Sequence, residues 1–169
     1  MNFRDIPQMT NANYRVNVPW DGLQDTLERY LEKFNLESDP DFQRAHVWNK
    51  EQQTAYVEFI LRGGVSGRDI YFNQPGWMNT FYGQMVLVDG KQRVTAVLAF
   101  LNDELPAFGL HRSEFEGSLS FDCDFVFHIN NLENVADIYQ WYLDLNSGVA
   151  HTEEELEKVR QLLQRAENI

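Results

Sequence analysis

Two apolar runs, Met85–Val88 and Val94–Leu101, stand on either side of a polar hinge, Asp89-Gly-Lys-Gln-Arg93. The first run suits a buried strand and the second a helix, and Asp-Gly between them is turn chemistry. The segment therefore reads strand, tight turn, helix. Phe121 to Ile129 alternates, with Phe121, Cys123, Phe125, Phe127 and Ile129 on one face, which predicts a half-buried strand. Tyr14–Val18 alternates over a shorter stretch, and Asp69–Asn73 predicts a strand pairing with Met85–Val88 across the loop that holds Pro75-Gly-Trp77.

Helical spacing fills the remainder. Asp21, with Gln24 three residues on, reads as the N-cap of a helix that turns Leu23, Leu27, Tyr30, Leu31 and Phe34 inward. Asn49 and Gln52 form a second capping box. The helix it opens buries Tyr56, Val57, Phe59 and Ile60, and Gly63-Gly64 stops it. Asn134–Leu145 repeats the pattern with Val135, Ile138, Tyr139 and Tyr142, and Asn146-Ser147-Gly148 ends it. Thr152 with Glu155 caps a last helix striped by Leu156, Val159, Leu162 and Leu163. With no repeat, low-complexity tract or linker, the 169 residues predict one α/β (α+β) domain.

Composition narrows this picture. A hydrophobic fraction of 43% with 14% aromatic residues predicts a folded globule. No apolar run approaches the roughly 20 residues of a membrane span. Met1–Asp5 lacks the apolar stretch of a secretory signal, and the single Cys123, read as a buried strand residue, forms no internal disulfide. The expected location is the cytoplasm, that of a bacterial host if the chain is encoded by a phage or mobile element.

Charge changes the list of partners. The 14 Lys and Arg residues stand against 26 Asp and Glu, a net charge of −12. From Asn102 to Asp124 there are six acids and one base, Arg112. Phosphate neutralisation dominates the affinity of duplex-binding proteins, so extended DNA binding is disfavoured. A small phosphorylated ligand needs only two or three cations in one pocket, and the hinge offers them. A helix N-terminus presents unpaired N–H groups and a positive dipole end, which suit an anion. Lys91 and Arg93 on that turn oppose the dipole, a local cost that a bound phosphate would offset.

Other chemistry finds little support. His46, His111, His128 and His151 are scattered, without metal-ligand spacing. Asp122 and Asp124 share a strand face, most simply as a solvated edge. There is no P-loop, serine-hydrolase elbow or dinucleotide fingerprint.

Three segments in order resemble a known family: Asp41-Phe-Gln-Arg-Ala-His-Val-Trp48, Val88-Asp-Gly-Lys-Gln-Arg93 with Val94-Thr95, and Leu145-Asn-Ser-Gly-Val149 ahead of an acidic helix. The chain is similar to the DGQQR-motif domain at the N-terminus of GmrSD-type restriction enzymes, within the ParB/sulfiredoxin-like superfamily. The resemblance implies a compact α/β domain, a small mixed sheet flanked by helices. Its motif-bearing core would cover about 40–150 and its C-terminal helix about 152–166. It also implies NTP binding or hydrolysis with Mg²⁺ in a restriction or phage–host setting.

Carried onto this sequence, the resemblance makes Asp89, Gln92 and Arg93 the candidate catalytic group. Gln43, Arg44, Trp48, Gly90, Lys91, Arg93, Thr95, Asn146 and Ser147 become candidate nucleotide contacts. Arg93 has the planar fork that grips two phosphate oxygens, and its alternative is a structural ion pair. Asp89 would hold Mg²⁺ or orient water, or merely close the turn. Gln92 would orient water or a phosphate oxygen, and Trp48 would stack on a base or pack ahead of its helix. Lys91 stands where the family usually has Gln. The 169 residues contain no HNH arrangement, so such cleavage is expected from an HNH-type nuclease or other protein partner. Two alternatives stay open: a non-catalytic acidic protein that binds or inhibits a nuclease as a DNA mimic or decoy, and a small DNA nickase.

Overall fold

The computed structural model describes residues 2–6, 12–43, 48–77, 79–146 and 153–168. Four strands, β1 (Tyr14–Pro19), β2 (Asp69–Asn73), β3 (Val86–Asp89) and β4 (Asp124–Asn130), form one mixed sheet in the order β1-β4-β2-β3. β1 and β4 are antiparallel, β4 and β2 parallel, β2 and β3 antiparallel. The helices are α1 (Leu23–Phe34), α2 (Lys50–Leu61), α3 (Lys91–Leu101), α4 (Val135–Asn146) and α5 (Glu153–Glu167). This is the α/β fold expected, with helices flanking the sheet. No helix among the described residues is long and apolar enough to cross a membrane.

The alternation of each strand sorts its side chains between two cores. Ile70, Phe72, Phe125, Phe127 and Ile129 meet Leu23 and Tyr30 of α1, Val57 and Ile60 of α2, and Val97 and Phe100 of α3. A smaller cluster joins Val88 and Phe42 to Ile138, Trp141 and Tyr142 of α4 and Val159 of α5. Lys158 of α5 donates to the Asp41 carbonyl at 2.7 Å, tying that helix to the segment before α2. The capping box at Asn49 and Gln52 forms as the sequence predicts, with both reciprocal hydrogen bonds present.

Several expectations are corrected. β4 is not half-buried: it lies between β1 and β2, and six of its seven residues are buried. Phe121 falls outside it and is 88% exposed, while Cys123 is buried just ahead of it. Asp124 is no solvated edge. It is buried in an ion pair with Arg68 at 2.9 Å and also accepts from the Asn17 side chain, whereas Asp122 is exposed. Asp21 does not cap α1, because a 3-10 turn over Trp20–Gly22 precedes the helix and puts Gly22 at the N-cap. Leu31 points to solvent, since Leu23, Leu27 and Tyr30 already complete the inward stripe. Phe59 and Val135 are also exposed, each on the flank of a helix whose buried face is narrower than the apolar pattern. Ser147, Gly148 and Thr152, and with them the expected turn and last capping box, lie outside the described residues.

Candidate functional site

β3 delivers Asp89, Gly90 turns the chain, and α3 begins at Lys91, the strand–turn–helix order read from the sequence. Gly90 has φ +108°, and a Cβ there would lie 2.6 Å from Ile70 Cδ1 on β2. Glycine is therefore required twice, for the backbone region and for the close approach of the turn to β2. The N-cap position of α3 is Gly90, which offers no side chain to cap it, and the first turn carries no acid. Its N–H groups and dipole end are thus left to whatever enters the adjoining cleft.

That cleft has a volume of about 530 Å³. Asp89, Gly90, Lys91, Gln92 and Arg93 form one end, with Gln43 beside them. Both cations already have partners. Arg93 pairs with Asp89, and Lys91 pairs with Asp39, whose side chain is 70% exposed. The Gln43 side-chain amide donates to the Leu87 carbonyl, which holds its segment against β3. Gln92 Oε1 is buried without a hydrogen-bond partner among the described residues. A buried lone acceptor of this kind carries a desolvation cost until something donates to it.

Aromatic side chains also line the cleft. Trp48 packs on Tyr56 with ring centroids 5.3 Å apart, and Phe59 extends the surface. Gly64 leaves room for the Phe59 ring, which a Cβ would meet at 2.4 Å. The Tyr56 hydroxyl donates to the Gly67 carbonyl at 2.7 Å, and burial pushes its pKa up, so it stays a neutral donor. Tyr71 stacks on His128 at 4.7 Å and meets Trp141 edge-on, and burial raises its hydroxyl as well. His128 Nε2 lies 2.6 Å from Asp69, a second carboxylate of the cleft. From α4 come Tyr142, Leu145 and Asn146, and the Asn146 amide donates to the Tyr142 carbonyl at 2.8 Å.

Of the candidates named from sequence, Gln43, Trp48, Asp89, Gly90, Lys91, Gln92, Arg93 and Asn146 line this one cleft. Thr95 does not. It is exposed and donates back to the Lys91 carbonyl at 2.9 Å, one turn behind the mouth. Arg44 and Ser147 lie outside the described residues. The sequence reading missed Asp69, Tyr71 and Tyr142 as cleft residues and took Tyr56 and Phe59 for core. An apolar pattern marks a helix face as facing protein, not which part of it borders a cavity.

The donor set bears on a metal. Among the described residues no group of three or more His, Cys, Asp or Glu side chains is placed to hold an ion. Asp89 and Asp69 nevertheless share the cleft with the uncapped helix end. Mg²⁺ ordinarily rests on one or two carboxylates plus substrate phosphates. These residues thus fit a metal that arrives with a nucleotide, not one caged by protein alone.

Searches of the curated proteins and of the solved structures gave no match. A family model does match, that of the GmrSD restriction endonuclease N-terminal domain, over residues 23–168. The chain therefore belongs to the GmrSD N-terminal domain family, with the role in restriction or phage defence that this membership implies.

Proposed function

We propose that the cleft binds a nucleoside triphosphate and hydrolyses it with Mg²⁺. The observation that carries the reading is convergence: the N-terminus of α3, two cations and several aromatic side chains line one cavity. The phosphates would sit on the first turn of α3, and the base would lie against Trp48 and Phe59. Stacking of this kind contributes about 1–3 kcal/mol per base on single strands.

The resting ion pairs are compatible with this. An exposed pair such as Lys91–Asp39 is worth roughly 0–1 kcal/mol, so a phosphate displaces Asp39 at little cost. Arg93 is held in place by Asp89, and its fork is thereby oriented before the ligand arrives. Gln92 Oε1 is an acceptor for the water that attacks the terminal phosphorus. Asp89 would hold Mg²⁺, which when bound neutralises phosphate charge as the bond to the leaving group breaks. Catalysis would then be mostly positioning and electrostatics. DNA cleavage would be the work of an HNH-type nuclease or another protein that acts together with this domain, in the cytoplasm.

The pairing of both cations favours one rival, a non-catalytic acidic protein in which the motif is purely structural. The test is tryptophan fluorescence on nucleotide titration, with Trp48→Phe as the control, together with phosphate release, for wild type and Asp89→Asn. Quenching in both proteins with hydrolysis only in wild type is the expected result. A folded wild type that neither quenches nor hydrolyses would leave the rival standing.

A further inference from the structure

A second groove lies away from the nucleotide cleft, between β1 and α1, with a volume of about 420 Å³. Val16, Asn17, Val18 and Pro19 line it consecutively. Residues of both parities appear, so the groove runs along the edge of the strand and not over one face. β1 is an outer strand, paired only with β4 among the described residues. The other edge of the sheet is covered, because Glu37 bonds β3 through the Met85 and Leu87 backbone at 2.8 and 2.9 Å. An open edge is a template for another extended chain.

The helix side of the groove has a distinct chemistry. Thr26, Arg29, Tyr30 and Lys33 of α1 line it, together with Trp77, whose ring packs on Tyr30 and Phe34. Among the described residues no carboxylate lines it, in a chain with 26 acids and 14 bases. Arg29 and Lys33 are exposed, four residues apart on one helix face, and neither forms an ion pair among the described residues. Like charges at that spacing destabilise a helix. The Trp77 indole Nε1 is buried and has no acceptor. Two cations without ion-pair partners among the described residues call for an anionic ligand, and the open edge calls for an extended one.

We infer that this groove is a docking site for an acidic extended peptide of a partner protein, which adds to β1 as a fifth strand. Backbone pairing with β1 supplies affinity, and carboxylates of the peptide meet Arg29 and Lys33. The nucleotide cleft takes no part in this.

The probe is a fluorescein-labelled peptide of alternating Glu and Val, followed by anisotropy on the full chain. Binding is expected for this peptide but not for its Lys-for-Glu counterpart or for a version N-methylated along its backbone. The double variant Arg29→Glu with Lys33→Glu should bind on the order of tenfold more weakly, with an unchanged circular dichroism spectrum, since both side chains are exposed. Failure of the Glu peptide to bind, or equal binding by the N-methylated version, would overturn the proposal. So would preferential binding of oligothymidylate, which would make the groove a nucleic-acid site, or an edge blocked by a second copy, seen as a dimer in sedimentation.

Discussion

Gly90 shows how closely one residue can be constrained. Its φ of +108° and the 2.6 Å approach of a would-be Cβ to Ile70 leave no room for a side chain. Gly90→Ala should destabilise the fold by about 1–3 kcal/mol, read as a lower urea midpoint with an unchanged slope. Tyr30 is a second such case. Burial, the main cause, pushes its hydroxyl from an ordinary 10 up to about 12. A raised tyrosine pKa means that the folded state favours the neutral form. The associated stability is therefore complete below pH 10 and is lost as the pH climbs from 10 towards 12. Urea unfolding at pH 9 and pH 11 should show a steep loss for wild type and a shallower one for Tyr30→Phe. At this scale the sequence was readable where chemistry is local. Asp89, Gly90 and Arg93 sit within one motif, whereas Lys91 and Asp39 are paired across 52 positions and nothing in either neighbourhood announces it.

Among the elements, β4 lies within the sheet between β1 and β2, and polar contacts pin it to both neighbours. Asp124 takes Arg68 at 2.9 Å and Asn17 from β1, with Arg68 also donating to the Gly64 carbonyl at 2.8 Å. Both ion-pair side chains are nearly buried, so removing one charge strands the other. Asp124→Asn should cost about 2–4 kcal/mol, and the unfolding midpoint by urea is the check. Alternation at Phe125, Phe127 and Ile129 revealed a strand but not its place in the sheet. That place depends on pairing with β1 and β2, more than a hundred and more than fifty residues earlier, and is not encoded in any local period. Caps behaved in the same way. Asn49 and Gln52 form their box at the start of α2, while Asp21 loses the N-cap to a 3-10 turn whose Trp20 is fully buried.

Across the whole molecule, acids prevail, yet cations gather at two places, the first turn of α3 and the outer face of α1. The cleft draws its lining from Gln43 to Asn146, and the motif turn, Gln43, Trp48 and Asn146 were legible beforehand, whereas Asp69, Tyr71 and Tyr142 were not. The aromatic lining comes from α2, β2 and α4, brought together by the sheet order. Trp48→Ala should therefore weaken nucleotide binding by about 1–3 kcal/mol while leaving the phosphate end intact, a difference visible in competition between a triphosphate nucleotide and tripolyphosphate. The central claim is that the first turn of α3 is a phosphate site. Calorimetric titration of wild type and Arg93→Ala with each of the four ribonucleoside triphosphates and Mg²⁺ tests it most directly. The account predicts saturable binding of at least one nucleotide by wild type, weakened in Arg93→Ala by about 1.5–3 kcal/mol, the worth of a hydrogen bond to a charged group. A folded wild type that binds none of the four, or an Arg93→Ala variant that binds as well as wild type, would contradict it.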